Sequence, residues 1–188
     1  MIYLEGLTNM RQMKPSTMVA GISSKILQIR KENIKQSLSD LNTIEHRQDY
    51  VATIDGVMYY DDSRAENVNA TWFTFENIVK PVIWIAGGND RFTDFKDLKH
   101  VAKKKVKALI CIGKHNANLK KTFQKDIKDI YEVTNLEDAI DTASFLAQED
   151  DIVLFSPACK SDKEDETYVE RGNLFTETVK QLENEHRQ

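Results

Sequence analysis

Residues 81–88 read Pro81-Val82-Ile83-Trp84-Ile85-Ala86-Gly87-Gly88, a short unbroken apolar run closed by two glycines. A strand with no polar alternation is buried on both faces, and such strands belong to parallel sheets covered by helices. Two more runs share this character: Val106–Ile112 (VKALICI), closed by Gly113, and Asp151–Ser156 (DIVLFS). Between them, Phe95, Leu98 and Val101 predict a short helix, and Leu136, Ala139, Ile140, Ala143 and Leu146 a longer one. Ile127–Val133 is a weaker strand. Strands linked through helices form right-handed crossovers.

Working outward, Tyr50–Ile54 and Val57–Tyr60 flank Asp55-Gly56, a hairpin signal because Gly tolerates the positive φ of a type I′ turn. Val68, Trp72, Phe75 and Val79 predict one helical face; Tyr168, Phe175, Val179 and Leu182 predict a C-terminal helix. The expected fold is α/β: an open, mostly parallel Rossmann-like sheet with helices on both faces, preceded by a short helical segment. In that segment Met18, Ile22, Ile26 and Ile29, then Ile34, Leu38 and Leu41, fall at helical spacing around a joint near Arg30–Glu32. The first fifteen residues, ending at Pro15, show no period and read as an arm.

The chain has 188 residues, 26 Lys+Arg and 30 Asp+Glu, giving a formal net charge of −4. The acidic balance argues against a dedicated nucleic-acid binder. No apolar run is long enough to cross a membrane, and no signal peptide is visible. The two cysteines, Cys111 and Cys159, are far apart, which excludes a disulfide scaffold and a cysteine zinc site and fits a reducing, cytoplasmic setting.

Open parallel sheets bind ligands at the carboxyl ends of their strands. The segments there are Asp61–Asn67, Gly87–Thr93, Gly113–Asn116 and Ser156–Arg171. In the first, Ser63 or Asn67 is an N-cap candidate, and Arg64 beside a helix start makes an anion site the functional alternative. Gly87-Gly88-Asn89-Asp90-Arg91 is either a plain turn or a ligand loop. Neither a GxGxxG nor a GxxxxGK[ST] occurs, so a hydrolase resting on a P-loop of its own is excluded and a free-standing dinucleotide binder is disfavoured. Ser156 lacks a GxSxG elbow, which argues against a hydrolase nucleophile. Cys159 reads as a small buried residue, His115 as a loop histidine, and Ser161–Thr167 (SDKEDET) as a solvated loop.

Four motifs recur in order: Glu45-His46-Arg47; Asp61-Asp62-Ser63-Arg64-Ala65-Glu66-Asn67; Ile85-Ala86-Gly87-Gly88-Asn89-Asp90-Arg91; and Ser156-Pro157-Ala158-Cys159 with Glu170-Arg171-Gly172. Together they resemble the C-terminal domain of the Mur ligases, whose pattern reads HR, NDSKATN, GGxDKG and SPACASFDxFxxFxxRG, with the D-glutamate-adding branch the nearest likeness. The resemblance implies residues 1–45 as a helical remnant of that family's central domain and 46–188 as the amino-acid-binding domain. It implies an ADP-forming ligase of peptidoglycan precursor synthesis: ATP phosphorylates the carboxylate of a UDP-muramoyl precursor and an amino acid attacks the acyl phosphate. By motif position, His46, Arg47 and Asp62 would face the nucleotide, and Arg64 would be catalytic near the transferred phosphate. Arg91 and Ser156, helped by position 66, would hold the amino-acid carboxylates. ATP and Mg are implied cofactors, bound mainly by domains outside this sequence, with no metal site here. The chain alone is therefore expected to be inactive unless a companion chain supplies the ATP-binding domain.

The departures are specific. Lysines become Arg64 and Arg91, which keeps charge but changes geometry. A threonine becomes Glu66, placing negative charge where a carboxylate ligand would sit; at ~4 Å, like charges repel by about 1 kcal/mol even in water. A glycine becomes Phe92, and aromatic lid positions become Asp162 and Asp165, while Tyr168 stays aromatic. The central domain's HN segment is replaced by Gln12-Met13. These changes leave open a second reading, a degenerate relative acting as a non-catalytic binding or interaction module.

Overall fold

A computed structural model of the chain describes residues 45–187. The helices and arm expected before residue 45 lie outside them. Six strands form one sheet: β1 (Asp49–Ile54), β2 (Val57–Asp61), β3 (Val82–Asn89), β4 (Val106–His115), β5 (Asp129–Val133) and β6 (Ile152–Phe155), in the order β1-β2-β6-β3-β4-β5. Only β1 runs antiparallel, joined to β2 through Asp55 (φ 49°) and Gly56 (φ 80°), as the Asp-Gly signal requires. The remaining pairs are parallel.

The apolar runs are buried on both faces yet still alternate. Val82, Trp84 and Ala86 of β3 and Ile152 and Leu154 of β6 enter one core; Ile83, Ile85, Val153 and Phe155 enter the other. The first core is covered by α1 (Val68–Asn77), α2 (Lys99–Lys105) with the 3₁₀ turn Lys96–Leu98 before it, and α3 (Ala117–Phe123). Trp84 is its centre, meeting Phe75 and Phe123 edge-on at centroid distances of 5.1 and 5.3 Å. The second is covered by α4 (Leu136–Leu146) and α5 (Tyr168–His186), whose Phe175 stacks on Phe155 at 5.4 Å.

Two expectations need correction. The strands after the first and second crossovers are longer than their apolar runs: β3 passes through Gly87-Gly88, and β4 continues past Gly113 to His115. More tellingly, the buried face of α1 is Thr71, Thr74 and Phe75, while Trp72 is 43% exposed and Val79, beyond the helix, 94% exposed. The reading followed apolar residues, but this helix turns two hydroxyls inward. Of the two capping candidates, Asn67 is the one used: its side chain accepts from Ala70 N at 3.0 Å.

The corrected face sets an expectation. Phe75→Ala should destabilise the fold by about 3–5 kcal/mol through the cavity left beside Trp84. Trp72→Ala should change stability by less than about 1 kcal/mol. Urea denaturation of both variants checks the assignment.

Candidate functional site

Strand β6 reaches its end between β2 and β3, so three parallel strands release their chains side by side. Here the strand order reverses, and open sheets leave a crevice at such a switch point. The loop after β6 is bonded to β3: Gly87 N donates to Pro157 O at 3.0 Å, and Asn89 N to Lys160 O at 2.8 Å. A Cβ on Gly88 would lie 2.3 Å from Lys160 O, so glycine is required there by close approach of two backbones.

Beneath this seam lies a buried polar cluster around Asp62. Its Oδ2 accepts from Ser156 Oγ and from Thr74 Oγ1, each at 2.7 Å. Ser156 gives its only hydroxyl proton to the carboxylate, so Thr71 Oγ1, 2.8 Å away, is the donor to Ser156. Gln48 Nε2 donates to Thr74 from outside at 3.2 Å, and Trp84 Nε1 donates to Ser156 O at 2.8 Å. Asp62 Oδ1 is buried without a partner. Burial pushes this carboxyl up to about 7; the Thr74 and Ser156 hydroxyls and the Arg47 charge pull down against it, and Asp61 adds to the rise.

Asp61 is buried beside it but paired. Its Oδ2 accepts from His46 Nδ1 at 2.6 Å, and its Oδ1 from Ser63 N at 2.8 Å. This fixes the imidazole proton on Nδ1. Gly172 on α5 packs directly on the pair: a Cβ there would stand 2.1 Å from His46 Nδ1 and 2.6 Å from Asp61 Oδ2. Arg47 lies over the Phe73 ring at 5.7 Å. Arg64 is exposed and rests on Tyr168, donating to its hydroxyl at 2.9 Å with its guanidinium 4.9 Å from the ring centre.

Two clefts open above the strand ends. One, of about 560 Å³, is lined by Glu66, Asn89, Phe92, Cys159 and Lys160 among others. Glu66 accepts from Arg171 Nη2 at 2.8 Å across its wall. The other, of about 520 Å³, is lined by Arg91, Lys114, His115 and Lys120 among others. Arg91 is exposed, with Nη2 2.8 Å from His115 Nε2, so the imidazole is the acceptor in that contact. Phe92 stands 98% exposed on the rim of the first cleft.

The structure thus brings His46, Arg47, Asp62 and Ser156 into one region, with Arg64 beside them on Tyr168. Glu66 opens on one cleft and Arg91 on another. Ser156 is wholly buried, its hydroxyl committed to Asp62 and Thr71. Thr71, Thr74 and Arg171 were missed. The threonines are legible in retrospect, since they follow the Asn67 cap by four and seven residues and share a helix face with it. Thr167 was also missed: it caps α5 with Glu170 in a reciprocal capping box whose signature is Thr-x-x-Glu. The acidic loop before it is tied together, since Glu166 accepts from Ser161 and Lys163. Cys111 and Cys159 are buried and pushed up to about 12 by that burial, which makes them inert thiols. Among the described residues there is no cluster of three potential metal ligands, and no helix is long and apolar enough to cross a membrane.

Residues 46–159 match the family described as Mur ligase, glutamate ligase domain. The chain belongs to the Mur ligase family. The match starts at the His46 that pairs with Asp61 and ends at the Cys159 that lines the cleft, so it takes in His46-Arg47, Asp61–Asn67, Ile85–Arg91 and Ser156–Cys159. Two curated relatives carry the name UDP-N-acetylmuramoylalanine–D-glutamate ligase. That of Salinibacter ruber is 35% identical over 167 residues, covering 89% of this chain and 36% of its own length. That of Lactobacillus delbrueckii subsp. bulgaricus is 38% identical over 183 residues, covering 97% and 39%. The chain therefore spans well under half the length of these Mur ligases. A solved structure, the MurF ligase of Thermotoga maritima in complex with ADP, aligns at 14% identity and a TM-score of 0.48 over 74% of this chain and 32% of that one.

The elevated carboxyl of Asp62 makes stability depend on pH. Its folded value, about 7, lies above the ordinary 3.8, so the native state binds the extra proton between those values and loses stability as pH rises through them. Asp62→Asn should remove this loss. Relative to wild type, the variant should gain about 2–3 kcal/mol between pH 5 and pH 8 in urea denaturation, and parallel profiles would exclude a neutral Asp62.

Proposed function

We propose that residues 46–188 form the amino-acid-receiving domain of a D-glutamate-adding ligase of peptidoglycan precursor synthesis, and that residues 1–45 are the helical end of its central domain. The observation that carries this reading is the gathering of His46, Arg47, Asp62 and Arg64, from two separate motifs, at the carboxyl end of β2. The His46–Asp61 and Gln48–Thr74 bonds on either side of Arg47 hold it in the neighbourhood of Asp62. A nucleotide held across that face would meet both the Arg47 and the Arg64 cations.

The residues fit ATP. Arg47 and Arg64 offer cations and His46 a fixed imidazole, while the wholly buried Asp62 would act from beneath them. Bound, ATP supplies the phosphoryl group that activates a carboxylate for attack by an amine. Arg64 can be drawn from Tyr168: the exposed cation–π contact contributes about 0.5–1 kcal/mol, and the hydrogen bond to the Tyr168 hydroxyl would be exchanged for one to an anionic phosphate oxygen. The described residues do not fit Mg, since they hold no ligand cluster, and no step here runs through it. The ATP-binding domain, in the same polypeptide or in a companion chain, would hold both cofactor and metal, and activity would require it. Arg91, an exposed cation on the second cleft, would meet an amino-acid carboxylate. Ser156 acts from below, holding Asp62 and the end of β6 in place. The UDP-muramoyl precursor would enter from the partner domain, and the setting would be the cytoplasm.

The alternative, an interaction module, is favoured by one observation: Phe92 is presented almost fully to solvent on the cleft rim. An NMR titration of the chain with D-glutamate, with L-glutamate and ADP as controls, separates the two. The ligase reading expects saturable, D-selective shifts at Glu66, Asn89 and Arg91 with millimolar ligand. Shifts that do not distinguish D- from L-glutamate, or none at all, would overturn it in favour of the module.

A further inference from the structure

Arg171 lies in the first turns of α5 and is only 6% exposed, so its charge is held inside the protein. A buried guanidinium needs a counter-charge and hydrogen-bond acceptors. Among the described residues Glu66 is its only ion-pair partner, through one contact: Nη2 to Oε1 at 2.8 Å. Arg171 Nε is buried and has no acceptor. Nε–H and one Nη2–H point the same way along one edge of the planar guanidinium, the edge that grips a carboxylate with two parallel bonds. Glu66 takes one of the two. Glu66 is also the residue that carries this contact to the cleft, since it lines the 560 Å³ space together with Lys160, Asn89 and Cys159.

We infer that Arg171 is the carboxylate-recognising residue of this cleft, and that Glu66 is a carboxylate built into the protein which occupies the recognition edge in the absence of ligand. A small carboxylate binds by displacing Glu66 and engaging both Nε–H and Nη2–H. Glu66 is thereby a specificity-determining residue: it sets a threshold that a ligand must exceed by bidentate geometry. The unmatched Nε–H favours this over a purely structural pair, because a structural pair in so buried a place would be expected to satisfy both donors. The inference deepens the proposed function, on which it rests for the nature of the ligand, by naming a group, besides Arg91, that reads a carboxylate.

The test uses the 188-residue chain and glutarate, a dicarboxylate with no amine and no stereocentre. Glu66→Gln retains an oxygen for Arg171 but removes the competing charge. It should bind glutarate at least tenfold more tightly than wild type by calorimetry, and glutarate should raise its melting temperature more than that of wild type. Adding Arg171→Lys should abolish the gain, since an ammonium cannot supply the two-pronged edge. Equal affinity in wild type and Glu66→Gln, or a gain that survives Arg171→Lys, would overturn the inference. Should Glu66→Gln not fold, the wild-type Arg171 Nε–H resonance gives an independent readout: glutarate moves it if Nε–H gains an acceptor, and an unmoved signal while other cleft signals titrate overturns the inference. Glutarate gain without D-over-L selectivity for glutamate would uphold Arg171 while removing the D-glutamate reading. D-selective binding equal in wild type and variant would do the reverse.

Discussion

Strand β6 has four residues, and the arrangement of the site follows from where they lie. They fill a slot between β2 and β3, with every side chain buried and both strand edges paired. The backbone past the strand is still governed by the slot, because Ser156 N donates to Ile85 O and Asp62 N to Phe155 O. The chain leaving β6 is thus pinned on both sides at once. That brings the Ser156 hydroxyl under Asp62, the carbonyls of Pro157 and Lys160 onto the Gly87–Asn89 backbone, and Cys159 to the cleft wall. Trp84 ties the same point to the core, since one ring both packs against Phe75 and Phe123 and donates to Ser156 O.

Three buried charges surround this point and are handled in different ways. Asp61 accepts hydrogen bonds from the His46 ring and the Ser63 backbone. Asp62 is held by hydroxyls and binds a proton more readily than an ordinary carboxyl. Arg171 faces a carboxylate from a segment 105 residues away in sequence. Ion pairs alone rarely justify such burial energetically, because desolvation offsets most of the attraction. Their concentration at a strand-end crevice rather than through the core is the distribution expected of a binding site. Of the positions read as departures from the family pattern, Arg64, Glu66 and Arg91 are each engaged with another side chain: Tyr168, Arg171 and His115.

Much of the architecture could be read directly. Apolar runs buried on both faces announced a parallel sheet, and Asp55-Gly56 announced the one antiparallel pair. The failures share one cause. Helix α1 was assigned by its apolar residues, but its inward face carries Thr71 and Thr74 because a carboxylate lies beneath it, and nothing local to the helix reveals Asp62. Burial of Arg171 is equally silent in a stretch reading Glu170-Arg171-Gly172, since its partner is at the other end of the domain. The strand ends were found because topology dictates them. What happens between side chains there depends on long-range pairing that periodicity does not encode.

The opposite edge of the sheet has a different character. Lys105, at the end of α2, donates to the carbonyls of Phe75 and Ile78 that close α1, a helix with no basic residue of its own in its last turn. Beside it Lys107 pairs with the buried Asp151 at 2.6 Å, and Lys80 with Asp150 at 2.8 Å. Lysines next to the starts of β3 and β4 therefore fasten the entry side of the sheet to its neighbours. The fastening leaves α1 little room to slide along its axis. A domain braced in this way is cross-linked at both ends of its sheet by different means: lysine side chains at the base, and backbone bonds between Gly87–Asn89 and the loop after β6 at the far end.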